Sequence, residues 1–162
     1  DLNFSSFDNM NKFYVDQMNQ YEINFFQKRN FLKKNITNWI SNHKIYDHVI
    51  EFISTLSNKF FIVTTKDKDS VSLLAEHFGF QNKIKDIFSK EISNDKFVLF
   101  EHLIKKYNSL LKGKRIIFVD DNEFHLASLR KFPVELYFAR WGYAKEQILN
   151  TFFEINTLID LK

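Results

Sequence analysis

The chain has 162 residues, a net charge of +3 and 44% hydrophobic residues, enough to bury one core of about a domain's size. Twenty Phe against three Gly and one Pro argue against disorder, and the absence of Cys excludes disulfides, thiolate nucleophiles and Cys-ligated zinc together. Lysines and carboxylates are interspersed rather than blocked, so no nucleic-acid patch is indicated. No apolar run reaches membrane-spanning length and no leader pattern opens the chain, which sets a cytoplasmic location as the expectation.

Residues 1–9, DLNFSSFDN, are polar and turn-like. After them Phe13, Tyr14, Met18, Tyr21, Phe25, Phe26 and Leu32 recur at helical spacing, which predicts one or two amphipathic helices through about residue 35, with Asp8 or Asn9 as cap. An aromatic stripe of this kind is expected to serve helix packing rather than a cofactor site. Residues 36–43 and 46–56 read as further helices, the second with Val49, Ile50, Phe52, Ile53 and Leu56 as its inner stripe.

Residues 59–65, KFFIVTT, form the first clear strand, an apolar run closed by two hydroxyls. Residues 67–78 then predict a helix capped by Asp67 or Asp69 and stopped by Gly79, which has no Cβ to resist a left-handed conformation. A short strand is expected at 86–88. Lys96 opens a helix whose apolar face comprises Val98, Leu99, Leu103, Ile104, Tyr107 and Leu110.

Residues 114–125, KRIIFVDDNEFH, hold the strand 116–119 and its abrupt switch to Asp120, Asp121, Asn122 and Glu123. A run that is β-branched or aromatic throughout reads as a strand buried on both faces. Adjacent carboxylates at its tip repel and lose solvation, so a compensating cation is expected, although either Asp could simply cap the helix 123–132. A strand at 134–139 and a helix at 144–159 complete the alternation. The fold class expected is therefore α/β: a doubly wound parallel sheet with right-handed crossovers, a core over 46–162 and a helical segment over 1–45.

Thr64 and Thr65, Lys96, and the Asp120–Asp121 pair all fall on the carboxyl side of that predicted sheet, where open α/β sheets bind ligands. A hydroxyl, an ammonium and a metal-holding acidic pair suit phosphoryl transfer, which needs donors for the equatorial oxygens and cations for developing charge. No Gly-rich phosphate loop is present, so a P-loop mechanism is unsupported.

The order of a strand ending in VTTK, a lysine heading a later helix and a strand ending in DD resembles the haloacid dehalogenase superfamily of aspartate-dependent phosphatases. FIVTTKDKDSVSLLAEHFGF resembles the second motif of phosphoglycolate-phosphatase-like members, and ARWGYAKEQIL resembles the WGYG stretch after their last core strand. The resemblance covers residues 46–149. It implies a Mg²⁺-dependent hydrolase of a small phosphorylated metabolite, with residues 1–45 a cap remnant. Thr64, with Thr65, would bind the phosphoryl group, Lys96 would steady the phosphate and nucleophile, and Asp121 would hold Mg²⁺ with Asp120 assisting.

The chain departs from that pattern in three places. Lys96 lacks flanking prolines, and His125 stands where many relatives place another aspartate. The family's opening strand ending in DxDxT, which carries the nucleophile and the general acid/base, has no clear counterpart; DLNFS at Asp1, Asn3 and Ser5 is a distant echo. The alternative is a degenerate, non-catalytic member that binds a phosphorylated ligand or a protein partner. A two-component receiver domain uses the same residue types in the reverse order, and a dehalogenase needs no paired aspartate for metal.

Overall fold

The computed structural model describes residues 7–144, 146–148 and 150–161, with side chains from residue 14 onward. The contacts divide the chain into two units, Asp1–Lys44 and Ile45–Lys162.

The first unit holds helices α1 (Phe7–Lys33) and α2 (Ile36–Ser41). Asp8 and Asn9 lie inside α1 rather than capping it. Asn35 caps α2, its side chain accepting the Asn38 N–H at 3.1 Å. The aromatic stripe of α1 does not form a core. Met18 and Tyr21 are 72% and 73% exposed, and Tyr14, Phe25 and Leu32 are exposed as well, because α2 is six residues long and offers too little surface to cover 27.

The second unit alternates helices and strands as α3 (Asp47–Thr55), β1 (Phe60–Val63), α4 (Lys68–His77), β2 (Ile84–Phe88), α5 (Lys96–Leu111), β3 (Ile117–Asp120), α6 (Glu123–Ser128), β4 (Glu135–Ala139) and β5 (Phe153–Ile155). All pairings are parallel, so the chain is of the α/β class. Asp67 caps α4 through the Ser70 N–H at 2.9 Å, and Gly79 follows that helix with φ of +76°, the left-handed stop its position predicts.

Two expectations need correction. The strands pair in two ladders, β1–β2 and β3–β4–β5, rather than in one continuous sheet. β1 and β3 each leave one edge without a strand partner among the described residues, and between them lies a slot of about 840 Å³. Phe60, Phe61, Ile62 and Val63 line one side and Ile116, Ile117, Phe118 and Val119 the other. Paired strands stand about 4.8 Å apart, so this slot prevents a direct β1–β3 ladder. The segment expected to be a helix over 144–159 instead forms β5 and a short 3₁₀ turn, Leu158–Leu161. Pairing of Phe138 with Glu154 and Ala139 with Ile155 satisfies the outer edge of β4, a gain that local periodicity does not register.

Helix α5 ties the two ladders together. Phe88, Leu99 and Leu103 form a buried cluster with Phe61, Val63, Ile104, Tyr107 and Leu111 against it. Near the same helix's start, Phe100 meets Phe118 of β3 at 5.6 Å between ring centroids. The start of α5 thus lies by the carboxyl ends of β2 and β3, and its later turns by Phe61 near the beginning of β1. The helix therefore runs antiparallel to both ladders, and β1 and β3 point the same way.

Candidate active site

The carboxyl end of β3 carries a polar cluster built on Asp120, Asp121 and Asn122. Asp120, the last residue of the strand, is buried, and each of its carboxylate oxygens is engaged. Oδ2 accepts from the Lys96 ammonium, while Oδ1 accepts the Asn122 N–H at 2.9 Å and faces His125 Nδ1 at 3.2 Å. Burial, the largest influence, pushes the Asp120 carboxyl upward, but His125, Lys96 and the Asn122 N–H together hold it below the ordinary aspartate value.

Lys96 is the first residue of α5, and the first turn of that helix contains no acidic residue. A cation at a helix amino terminus meets the positive end of the macrodipole, so local preference does not place it there. The compensation comes from Asp120, 24 positions away. Asp95 provides the cap, its side chain accepting the Phe97 N–H at 2.8 Å.

Neither aspartate caps α6. Asn122 does so, its side-chain oxygen accepting from Phe124 N–H at 2.9 Å and His125 N–H at 3.4 Å. Asp121 is instead turned toward the loop after β4, where its Oδ2 accepts the Tyr143 N–H. No partner for Asp121 Oδ1 occurs among the described residues.

Thr64 and Thr65 follow β1, across the slot from β3. The Thr64 N–H extends the ladder to Phe88 O at 2.8 Å, and its hydroxyl oxygen accepts the Lys66 N–H at 3.1 Å. Its own hydroxyl hydrogen is left to donate. The structure therefore brings Lys96 and Asp120 into contact, sets Asp121 beside them on another partner, and puts the two threonines at the end of the neighbouring ladder. Asp1, Asn3 and Ser5 lie outside the described residues.

Two contacts escaped sequence reasoning, which noted His125 only as standing where many relatives place an aspartate. His125 is one turn into α6, and only a helix beginning right after the strand returns it to Asp120. Gly142 approaches so closely that a Cβ built on it would overlap the Cβ, Cγ and Oδ2 of Asp121. The glycine of the WGY stretch was the available signal for it.

Asp121 fits a Mg²⁺ ion that retains most of its water shell, since one carboxylate oxygen is uncommitted and Mg²⁺ commonly takes only one or two protein carboxylates. Asp120 fits less well as a direct ligand, because both oxygens already have protein partners. No cluster of three or more His, Asp or Glu suited to a metal occurs among the described residues.

Parallel strands, helical crossovers and a Lys–Asp pair at the strand ends define an α/β domain with a charged cluster at the carboxyl side of its strands. The sequence profile described as haloacid dehalogenase-like hydrolase matches residues 15–132, and the chain belongs to that family. No curated protein matches. Among solved structures, the haloacid dehalogenase-like family hydrolase SP0104 from Streptococcus pneumoniae is similar with a TM-score of 0.64 and 17% identity, covering 77% of this chain and 62% of that one. The HAD-hydrolase YfnB from Bacillus subtilis, described as bound to magnesium, has a TM-score of 0.58 and 15% identity, covering 77% of this chain and 56% of that one. This chain thus spans less than two thirds of either neighbour, and the likeness concerns the fold. No helix among the described residues is long and apolar enough to cross a membrane.

Proposed function

We propose that the chain carries most of a Mg²⁺-dependent, phosphatase-like site acting on a small phosphorylated metabolite in the cytoplasm, with residues 1–45 as its cap segment. The observation that carries this reading is the Lys96–Asp120 pair, which fixes a cation at a helix start where the helix itself disfavours one. An ammonium has three donors; Asp120 takes one, and the others serve a phosphoryl oxygen and the attacking group. The Thr64 hydroxyl, held from behind by the Lys66 N–H, donates to a second phosphoryl oxygen, and Thr65 lies beside it. Asp121 Oδ1 holds the metal directly or through water. When bound, Mg²⁺ supplies charge neutralisation for the transferring group.

None of these groups is a suitable attacking nucleophile. We assign that role to a carboxylate on a parallel strand seated between β1 and β3, whose tip would come level with Thr64 and Asp120. The carboxylate attacks phosphorus, the bond to the substrate alcohol breaks, the leaving oxygen takes a proton from the second carboxyl group of that strand's Asp-x-Asp end, and water then hydrolyses the acyl phosphate to inorganic phosphate and the free carboxylate. The lack of such a group at the described site also supports a second reading, a non-catalytic member that binds a phosphorylated ligand or partner.

Phosphomonoester hydrolysis with Mg²⁺ separates the two. The 162-residue chain alone is expected to show little turnover, and a version fused ahead of it to an apolar strand of about five residues ending in Asp-x-Asp to show turnover abolished by Lys96→Met. Robust turnover by the unextended chain that Asp1→Asn abolishes would make Asp1 the nucleophile. Phosphate binding without turnover in either form would establish the non-catalytic reading.

A further inference from the structure

Whereas Asp120 is held by Lys96 and His125, its neighbour Asp121, just past the end of β3, is oriented by the loop after β4. Gly142 lies against its side chain, in the loop after β4. Glycine is not required there by the backbone, since the positive-φ glycines are Gly79 and Gly113. It is required by space, because any Cβ would fall on Asp121 Cβ and Cγ, atoms too near the main chain to move aside cheaply. The next residue supplies the hydrogen bond: Tyr143 N–H donates to Asp121 Oδ2, while the Tyr143 side chain is fully exposed.

The loop that does this is itself held by two contacts just after β4. Gly142 N–H reaches back to Ala139 O at 3.4 Å, closing a turn directly after β4. Trp141, half-buried, meets the edge of the His48 ring of α3 at 4.7 Å between centroids and 77° between planes. A loop without such anchors would not hold a carboxylate rotamer, and this one connects it to two separate elements of the unit.

We propose that Gly142 and the Tyr143 backbone N–H are positioning groups for Asp121: the glycine leaves the space its carboxylate occupies, and the N–H takes Oδ2 so that Oδ1 is the oxygen presented to a divalent cation. The second half rests on Asp121 as the metal-holding residue; the first does not. Groups that orient a metal-binding carboxylate are worth about 10–100-fold in metal affinity.

The test uses the 162-residue chain, with Mg²⁺ alone as the titrant in calorimetry and with amide hydrogen exchange of Tyr143 read in metal-free buffer. Gly142→Ala is expected to weaken Mg²⁺ binding about tenfold or more, and Tyr143→Pro, which removes that N–H while also replacing an exposed side chain and fixing φ there, to do the same. Gly79→Ala serves as a glycine control that lowers the urea midpoint without changing Mg²⁺ affinity. In metal-free buffer the Tyr143 amide exchanges more slowly in wild type than in Asp121→Ala or Gly142→Ala. Equal exchange in wild type and Asp121→Ala overturns the proposal, as does a Gly142→Ala protein that binds Mg²⁺ like wild type. Slow exchange released by both substitutions, in a wild-type chain that does not bind Mg²⁺, upholds the positioning of Asp121 and overturns its role as metal holder.

Discussion

Lys96, at the first position of α5, and Asp120, at the last position of β3, form an ion pair whose side chains are only 14% and 4% exposed. The pair joins the helix that spans both ladders to the strand beside the slot. Its energy is not that of a surface contact, because little water screens it.

Removing one partner should therefore be costly. Lys96→Met leaves the Asp120 carboxylate buried with only His125 and the Asn122 N–H against it. The expected loss is about 3 kcal/mol of unfolding free energy, read from urea denaturation at neutral pH. The double variant Lys96→Met with Asp120→Asn should recover a good part of it, since no buried charge then remains; a double variant as unstable as the single one would show that the methionine, not the stranded charge, is at fault.

Acid should weaken the fold through the same carboxylate. The folded-state value of Asp120 is lowered, so its contribution is present in full above the unfolded value, about 3.9, and is lost as pH falls through the lower folded value. Carboxyl NMR titration should give Asp120 a midpoint below that of an unstructured aspartate. A midpoint above it would mean that burial outweighs Lys96 and His125.

Asn122→Ala tests the cap that frees both aspartates from capping α6. Loss of the side-chain oxygen leaves the Phe124 and His125 N–H groups without their acceptor. The cost should be about 1 kcal/mol in thermal or urea unfolding, and His125 should be less firmly held against Asp120. An unchanged midpoint would show that water replaces the cap at no cost.

Thr64→Val bears on the phosphate reading. The substitution keeps the shape of the side chain and removes the hydroxyl that receives the Lys66 N–H and has its own hydrogen to donate. Inorganic phosphate, measured by competition or calorimetry, should bind about tenfold more weakly, the equivalent of one hydrogen bond to a charged group. Identical phosphate affinity in Thr64→Val and wild type would remove Thr64 from the site.

Much of the second unit was legible from local pattern. The apolar runs before Thr64 and Asp120, and the helical stripes of α3, α4 and α5, lie within a residue or two of their expected bounds. Asp67 and Gly79 mark the ends of α4 because capping and left-handed stops depend on neighbouring residues alone. The 144–159 segment misled because Ile148, Phe152, Ile155 and Ile159 keep a helical spacing. The free edge of β4 decided otherwise.

Residue type and order alone determined that this is an α/β chain with Thr64, Lys96, Asp120 and Asp121 at strand or helix ends, because periodicity and the switch from apolar to polar residues are properties of adjacent positions. Only the tertiary structure decided how those ends divide the work. It gave Asp120 to Lys96 and His125, gave Asp121 to the Gly142–Tyr143 loop, and split the strands into two ladders around a slot. Those outcomes depend on which edges find partners and which charges are buried together, across separations that no local pattern records.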